Sequence, residues 1–164
     1  MSVSDIISSI TVMKDTTKIL NDLRHQCSRR EYCVRDVCKK AEKALEGDKE
    51  GAMNIVKVLI EEKYVDDRRY AEAYARDKSS IAGWGGTKIR YMLSAKGIDR
   101  DVISQALGEI DEKKAGDRLE KLIENKLRTL KDDPSRRLKV LRFALGRGYS
   151  YEEINNVLSR YEEV

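Results

Sequence analysis

Residues 87–107, TKIRYMLSAKGIDRDVISQAL, hold two short amphipathic segments joined by a tight turn. Ile89, Met92 and Leu93 recur at helical spacing, and so do Ile103, Ala106 and Leu107 beyond the turn. Between them stands Lys96-Gly97-Ile98-Asp99. Glycine enters the left-handed backbone region at little cost and so ends the first helix. Asp99 is placed to cap the second. A helix, turn, helix of this size buries too little apolar surface to be stable without neighbours.

The same phrase occurs three more times. Val140, Phe143, Ala144, Gly148, Tyr149 and Ser150, then Ile154, Val157 and Leu158, repeat it closely. Ile55, Val58, Leu59, Lys63, Tyr64 and Asp66, then Tyr70, Ala73 and Tyr74, form a looser copy. Leu23, Gln26, Cys27, Glu31, Tyr32 and Cys33, then Val37, Lys40 and Ala41, form the weakest. Capping positions 33, 66, 99 and 150 are separated by steps of 33, 33 and 51 residues. Repetition at this period marks stacked units, which bind macromolecules more often than they catalyse.

Composition supports the same reading. Of 164 residues, 38% are charged and 40% apolar, with one Pro and no run alternating with period two. The fold class expected is all-α, a thin extended array rather than a thick globule. No apolar stretch approaches the length needed to span a bilayer. The N-terminus lacks the basic region and apolar core of a secretory signal. Three cysteines, an odd number, suit a reducing compartment rather than a disulfide scaffold. A cytoplasmic location without membrane attachment is therefore expected.

Residues 1–14 are expected as a flexible arm or short extra helix. Residues 15–80 form a first three-helix repeat region with its preceding helix, which starts near Asp15. Residues 81–131 form a second repeat ending in a long helix. Residues 132–164 form the third, C-terminal repeat. Asp66 and Ser150 suit helix capping. Gly83-Trp84-Gly85-Gly86 breaks the chain, with Thr87 as the next cap. From Glu112 to Leu130, the residues Leu119, Leu122, Ile123, Leu127 and Leu130 share one helical face.

Net charge is only +4, but its distribution is uneven. The window Pro134–Gly148 carries Arg136, Arg137, Lys139, Arg142 and Arg147 and no acid. The window Arg24–Lys40 carries six Lys or Arg, Arg29 and Arg30 among them, against Glu31 and Asp36. The first stripe is the favoured anion contact, weighed evenly against a merely solvated helix face. Lys88, Arg90, Arg29 and Arg30 complete the candidate cations. Trp84 is either an exposed anchor or a plug at the junction between repeats. Arg68 and Arg69 are expected in local ion pairs. Tyr64, Tyr70, Tyr74, Tyr149 and Phe143 are expected in the core rather than as stacking platforms. His25, Cys27, Cys33 and Cys38 could supply four ligands but lack a C-x2-C pair, so no metal is expected. There is no P-loop and no nucleophile–base constellation, so neither a cofactor nor an enzyme is expected.

Four segments resemble the RecX family, bacterial regulators of the RecA recombinase. Leu59–Asp77, LIEEKYVDDRRYAEAYARD, looks like that family's hallmark. Gly85-Gly86-Thr87-Lys88-Ile89-Arg90, Leu93 and Lys96-Gly97-Ile98 are similar to its second unit. Cys27–Lys40 resembles its N-terminal unit, and Arg142-Phe143-Ala144 with Arg147-Gly148-Tyr149 its C-terminal unit. The likeness spans residues 16–160. Departures are Cys33 where Ser is usual, Lys63 where Gly is common, and the Trp84 insertion. The resemblance implies three tandem three-helix repeats in an elongated, curved molecule. It implies binding to the RecA filament on single-stranded DNA that limits filament growth or favours disassembly; the chain itself is expected to be a monomer. Recombination, repair and the SOS response would be regulated in consequence. Two other readings are a helix-turn-helix DNA-binding protein and a helical-repeat scaffold with no RecA role.

Overall fold

The computed structural model describes residues 2–161, apart from the side chains of residues 11, 12 and 14. Residue 1 of the expected arm and residues 162–164 of the expected third repeat lie outside it. The described residues form helices joined by turns, with no strand among them. The helices are α1 (Val3–Arg29), α2 (Val34–Ala44), α3 (Lys49–Glu61), α4 (Asp67–Ser80) and α5 (Gly86–Ala95). They continue as α6 (Arg100–Gly108), α7 (Glu112–Thr129), α8 (Arg136–Gly146) and α9 (Tyr151–Leu158), closed by a 3-10 turn, Ser159–Tyr161. The all-α expectation is met. The chain divides into two compact units, Met1–Tyr70 and Ala71–Val164, the division falling inside α4.

In the first unit α1, α2 and α3 enclose a core of Leu23, Cys27, Val37, Ala41, Ile55, Leu59 and Val65. The helix expected from Asp15 begins at Val3 instead. Ser2 and Asp5 form a reciprocal capping box: the Asp5 N–H donates to Ser2 Oγ (3.2 Å), and the Ser2 N–H to Asp5 Oδ2 (2.8 Å). Hydroxyls on α1 bond back along the helix, Ser9 to the Asp5 carbonyl (2.9 Å) and Thr17 to the Met13 carbonyl (3.0 Å).

Cys33 sits at the N-cap of α2 but makes no side-chain cap. The first N–H of that helix, on Val34, donates instead to Asp67 Oδ1 at 2.8 Å. A carboxylate 33 residues away thus supplies what the cysteine does not. Asp66 caps its own helix as expected, accepting from the N–H groups of Arg68 (2.9 Å) and Arg69 (3.1 Å). Before it, Lys63 adopts φ +62, the left-handed turn at which glycine is favoured.

In the second unit α7, α8 and α9 share a core of Leu119, Ile123, Val140, Ala144, Tyr149, Ile154, Val157 and Leu158. Ile89, Leu93, Ile103 and Ala106 are buried on α5 and α6. Gly97 (φ +80) and Gly148 (φ +92) turn the two helix pairs as their spacing predicts. Ser150 makes a full capping box with Glu153. Two capping expectations need correction. Asp99 occupies the N-cap of α6 without a side-chain cap bond. Thr87 lies inside α5, whose N-cap is Gly85. For Thr87 the reason is tertiary. The Gly85 N–H donates to the Arg147 carbonyl (2.9 Å) and the Thr87 N–H to the Gly148 carbonyl (3.0 Å). The α8–α9 turn therefore satisfies the start of α5.

That docking needs two glycines. A Cβ on Gly85 would lie 2.3 Å from the Gly148 carbonyl oxygen, and one on Gly148 would lie 2.2 Å from Lys88 Cβ. Backbone meets backbone here, and neither side can yield by a rotamer change.

Candidate nucleic-acid interface

The Gly85–Gly148 contact sets Lys88 beside the end of α8, and the loop between α4 and α5 runs alongside. Trp84 anchors that loop, its backbone N–H donating to the Lys78 carbonyl at 2.9 Å. The indole is half-buried. Lys88 Nζ stands 4.3 Å from its ring centre and Lys78 Nζ 4.9 Å. Lys78 also lies 5.4 Å from the Tyr74 ring. The negative face of each ring holds the ammonium groups in place while leaving their charge uncompensated. Trp84 is thus a holder of cations, midway between the anchor and the plug that its sequence position suggests.

A second group follows through the same loop. Arg147 caps α8, its guanidinium carbon 5.3 Å from the Phe143 ring centre, and Nη1 donates to the Ala82 carbonyl at 3.4 Å. Lys126, from α7, places Nζ 4.9 Å from the same ring. The Tyr149 hydroxyl donates to the Gly83 carbonyl (3.2 Å), and burial pushes its phenol pKa up. Arg147 and Tyr149 therefore fix the loop from below while Trp84 collects lysines above it.

Pairing separates the cations into two classes. Among the described residues no carboxylate pairs with Lys78, Lys88, Lys126 or Arg147. Lys139 is neutralised by Asp133, whose carboxyl it holds below the ordinary value. Arg137 donates to Asn155 Oδ1 at 2.9 Å, and Arg90 to Ser104 Oγ at 3.3 Å. Arg142 is exposed on α8. Arg136 lines an open cavity of about 930 Å³ with Arg128 and Lys131, where Arg128 is paired to Glu124 (2.7 Å). Arg29 and Arg30 end α1 in the other unit, Arg30 resting 4.3 Å from the Tyr32 ring centre. The structure thus brings Lys88 and Arg147 together and leaves Arg136, Arg137, Lys139 and Arg142 along α8.

Arg69 is committed to structure. Its Nε donates to Glu31 (2.6 Å) and its Nη groups to the Lys63 carbonyl (3.2 Å). The partner is not the adjacent Asp66 or Asp67 but an acid across the first unit. Tyr149 is buried, whereas Tyr64, Tyr70, Tyr74 and Phe143 are half-buried. No group of three or more His, Cys, Asp or Glu able to hold a metal occurs among the described residues. Burial, followed by the nearby Glu31, pushes the Cys27 thiol up, away from the thiolate a metal would need. Among the described residues no helix is long and apolar enough to cross a membrane.

Comparison with known proteins gives this geometry its context. The second three-helix domain of RecX matches residues 66–107, which hold α4, α5 and most of α6, and the third matches residues 116–158, which hold most of α7 with α8 and α9. The chain belongs to the RecX family. It is 33% identical over 126 residues to the regulatory protein RecX of Clostridium perfringens strain 13, covering 74% of this chain and 58% of that one. It is 40% identical over 98 residues to the RecX of Mycobacterium sp. strain JLS, covering 56% and 54%. The chain spans about half the length of the curated relatives it matches. A crystal structure of a regulatory protein RecX superposes with a TM-score of 0.80 at 25% identity, covering 95% of this chain and 79% of that one. The RecX of Lactobacillus salivarius shares the fold, with a TM-score of 0.78 at 22% identity over 93% and 99% of the two chains.

Within this RecX fold, sequence reasoning passed over Lys78 and Lys126. Both are interleaved with acids along their own helices, so a linear charge window averages them away. Lys78 carried a usable signal. It lies four residues after Tyr74, and one helical turn brings those two side chains together. The link from Lys126 to Phe143 crosses from one helix to another, and no local spacing announces it.

Proposed function

We propose that this chain modulates the RecA recombinase, mainly negatively, by binding the RecA filament on single-stranded DNA. Binding limits filament extension or promotes disassembly, and so restrains recombination, DNA repair and the SOS response. The chain acts by occupancy rather than by catalysis, and as a monomer. Membership of the RecX family carries the reading, and the unpaired cations around residues 78–88 and Arg147 support it. Each cation set against a nucleic-acid phosphate releases counterions, and one set against a carboxylate is screened, so affinity falls as salt rises. Arg136, Arg137 and Arg142 of the α8 stripe extend the same surface, whereas Lys139 is spent on Asp133. Arg90, Arg29 and Arg30 are secondary contacts, and Trp84 acts by positioning Lys78 and Lys88.

The test is a RecA strand-exchange reaction titrated with the purified chain. Inhibition below one chain per RecA protomer supports the reading. Sequence-selective duplex binding without effect on RecA would favour a helix-turn-helix DNA-binding protein. Inertness in both assays would leave a scaffold. Charge reversal at Arg136, Arg137 and Arg142 together is expected to weaken inhibition while helicity is retained. Unchanged inhibition by that variant removes α8 from the interface.

A further inference from the structure

We propose that an open groove between residues 80–83 and the α7–α8 face seats a short acidic peptide segment of a protein partner, one that pairs carboxylates with an aliphatic side chain. The inference stands whether or not RecA is that partner. The groove encloses about 520 Å³. Arg118, Lys121 and Lys126 line it, and no acidic side chain does. Three cations converging without an acid make a field that selects an anion.

Arg118 carries the argument furthest. Its guanidinium is half-buried, and no carboxylate pairs with it among the described residues. Nη2 donates to Ser79 Oγ at 2.8 Å, which aims the group, while Nε is buried with no hydrogen-bond partner. A partly buried cation with a buried donor left unsatisfied is costly unless an anion completes it. A planar guanidinium with donors to spare matches a carboxylate edge-on. The smaller cavity that also touches Arg118, of about 370 Å³, sets Glu72, Glu109 and Asp111 against Arg76, Lys114 and Arg118, so its charges balance and it lacks the net positive field of the groove. Approach therefore comes from the 80–83 side.

Two features select a peptide over a nucleic acid. Ile81, at 83% exposure, is the most exposed large apolar side chain among the described residues, and it stands at the groove with Leu122. An exposed aliphatic group offers nothing to a phosphodiester chain but can cover an aliphatic residue of a peptide. The aromatic rings at the groove are also unavailable for base stacking. Phe143 is covered by Lys126 and Arg147, and Tyr149 is buried with its hydroxyl committed to the Gly83 carbonyl. The groove is pre-formed, because the Ala82 and Gly83 carbonyls are already held by Arg147 and Tyr149. Little ordering cost attends binding.

The test uses the full chain as bait for a display library of random short peptides. Each enriched peptide is then synthesised with a fluorophore and measured by anisotropy, beside a fluorescent oligothymidylate. Enriched peptides are expected to combine two or more carboxylates with an aliphatic residue. Their affinity should fall about tenfold or more in Lys121→Glu/Lys126→Glu, as expected when close charge pairs are reversed. Ile81→Ser should weaken the peptide several-fold, as loss of a hydrophobic contact does, and leave oligothymidylate binding unchanged. Circular dichroism confirms that the variants, altered at exposed or half-buried positions, remain folded. No enriched peptide, enriched peptides lacking acids, or affinity indifferent to these substitutions would overturn the proposal. Oligothymidylate that displaces the peptide and is itself weakened by Ile81→Ser would reassign the groove to nucleic acid.

Discussion

Lys63 and Gly148 occupy the same kind of backbone state with opposite freedom to change. Lys63 stands at φ +62, exposed to solvent, and contributes only backbone groups: its N–H donates to the Ile60 carbonyl (3.0 Å) and its carbonyl accepts from Arg69. A side chain there carries the left-handed penalty and gains nothing visible in exchange. Lys63→Gly is expected to raise stability by about 1 kcal/mol, the usual relief at such a site, as read by urea denaturation. Gly148 has both a positive φ and no room, since a Cβ would strike Lys88. Gly148→Ala should cost about 1–3 kcal/mol from backbone strain, with overpacking adding to it. Gly116, inside α7 with nothing within 4 Å of a would-be Cβ, is the control. Gly116→Ala should stabilise by about 0.5–1 kcal/mol. Loss of stability in both glycine variants would show that the close approach is not what Gly148 serves. The glycine turns at Gly97 and Gly148 were legible because the requirement is local and their spacing repeats. The Gly85–Gly148 embrace was not, since it joins residues 63 positions apart.

Helix starts show the same divide at the next scale. Ser150 and Asp66 cap their own helices through bonds two or three residues long, and sequence alone marks them. Cys33, Gly85 and Asp99 begin helices with no side-chain cap bond of their own. The first two are rescued from elsewhere, α2 by Asp67 and α5 by the Arg147 and Gly148 carbonyls. Asp67→Ala should therefore destabilise α2, a helix it does not belong to, by about 1 kcal/mol as loss of a cap does. Amide hydrogen exchange would register this as faster exchange at Val34 while the centre of α4 stays protected. Unchanged exchange at Val34 would contradict the assignment. α7 was placed within a residue at either end by the periodicity of Leu119, Ile123 and Leu127. On that helix Lys114, Arg118 and Lys121 follow steps of four and three, a stripe hidden by the acids between them.

For the whole molecule, the account turns on which positive charges are left unspent. Linear windows found the α8 stripe because its charges are contiguous and free of acids. They could not show that Lys139 is neutralised by Asp133, or that Lys78 and Lys88 gather on one indole. Those facts belong to contacts between elements, where the repeat pattern is silent. A cation already paired to a carboxylate has little left to offer a polyanion, and an exposed pair contributes little to stability. An unpaired one retains its field over about a Debye length, roughly 8 Å in physiological salt. The decisive measurement is binding of the chain to preformed RecA filaments on single-stranded DNA, compared between Lys78→Glu/Lys88→Glu and Lys139→Glu. The account predicts that the double variant loses affinity by about tenfold or more and shows a shallower salt dependence, as fewer counterions are released, while Lys139→Glu binds nearly as the parent does. Equal losses in the two variants, or none in the double variant, would contradict it.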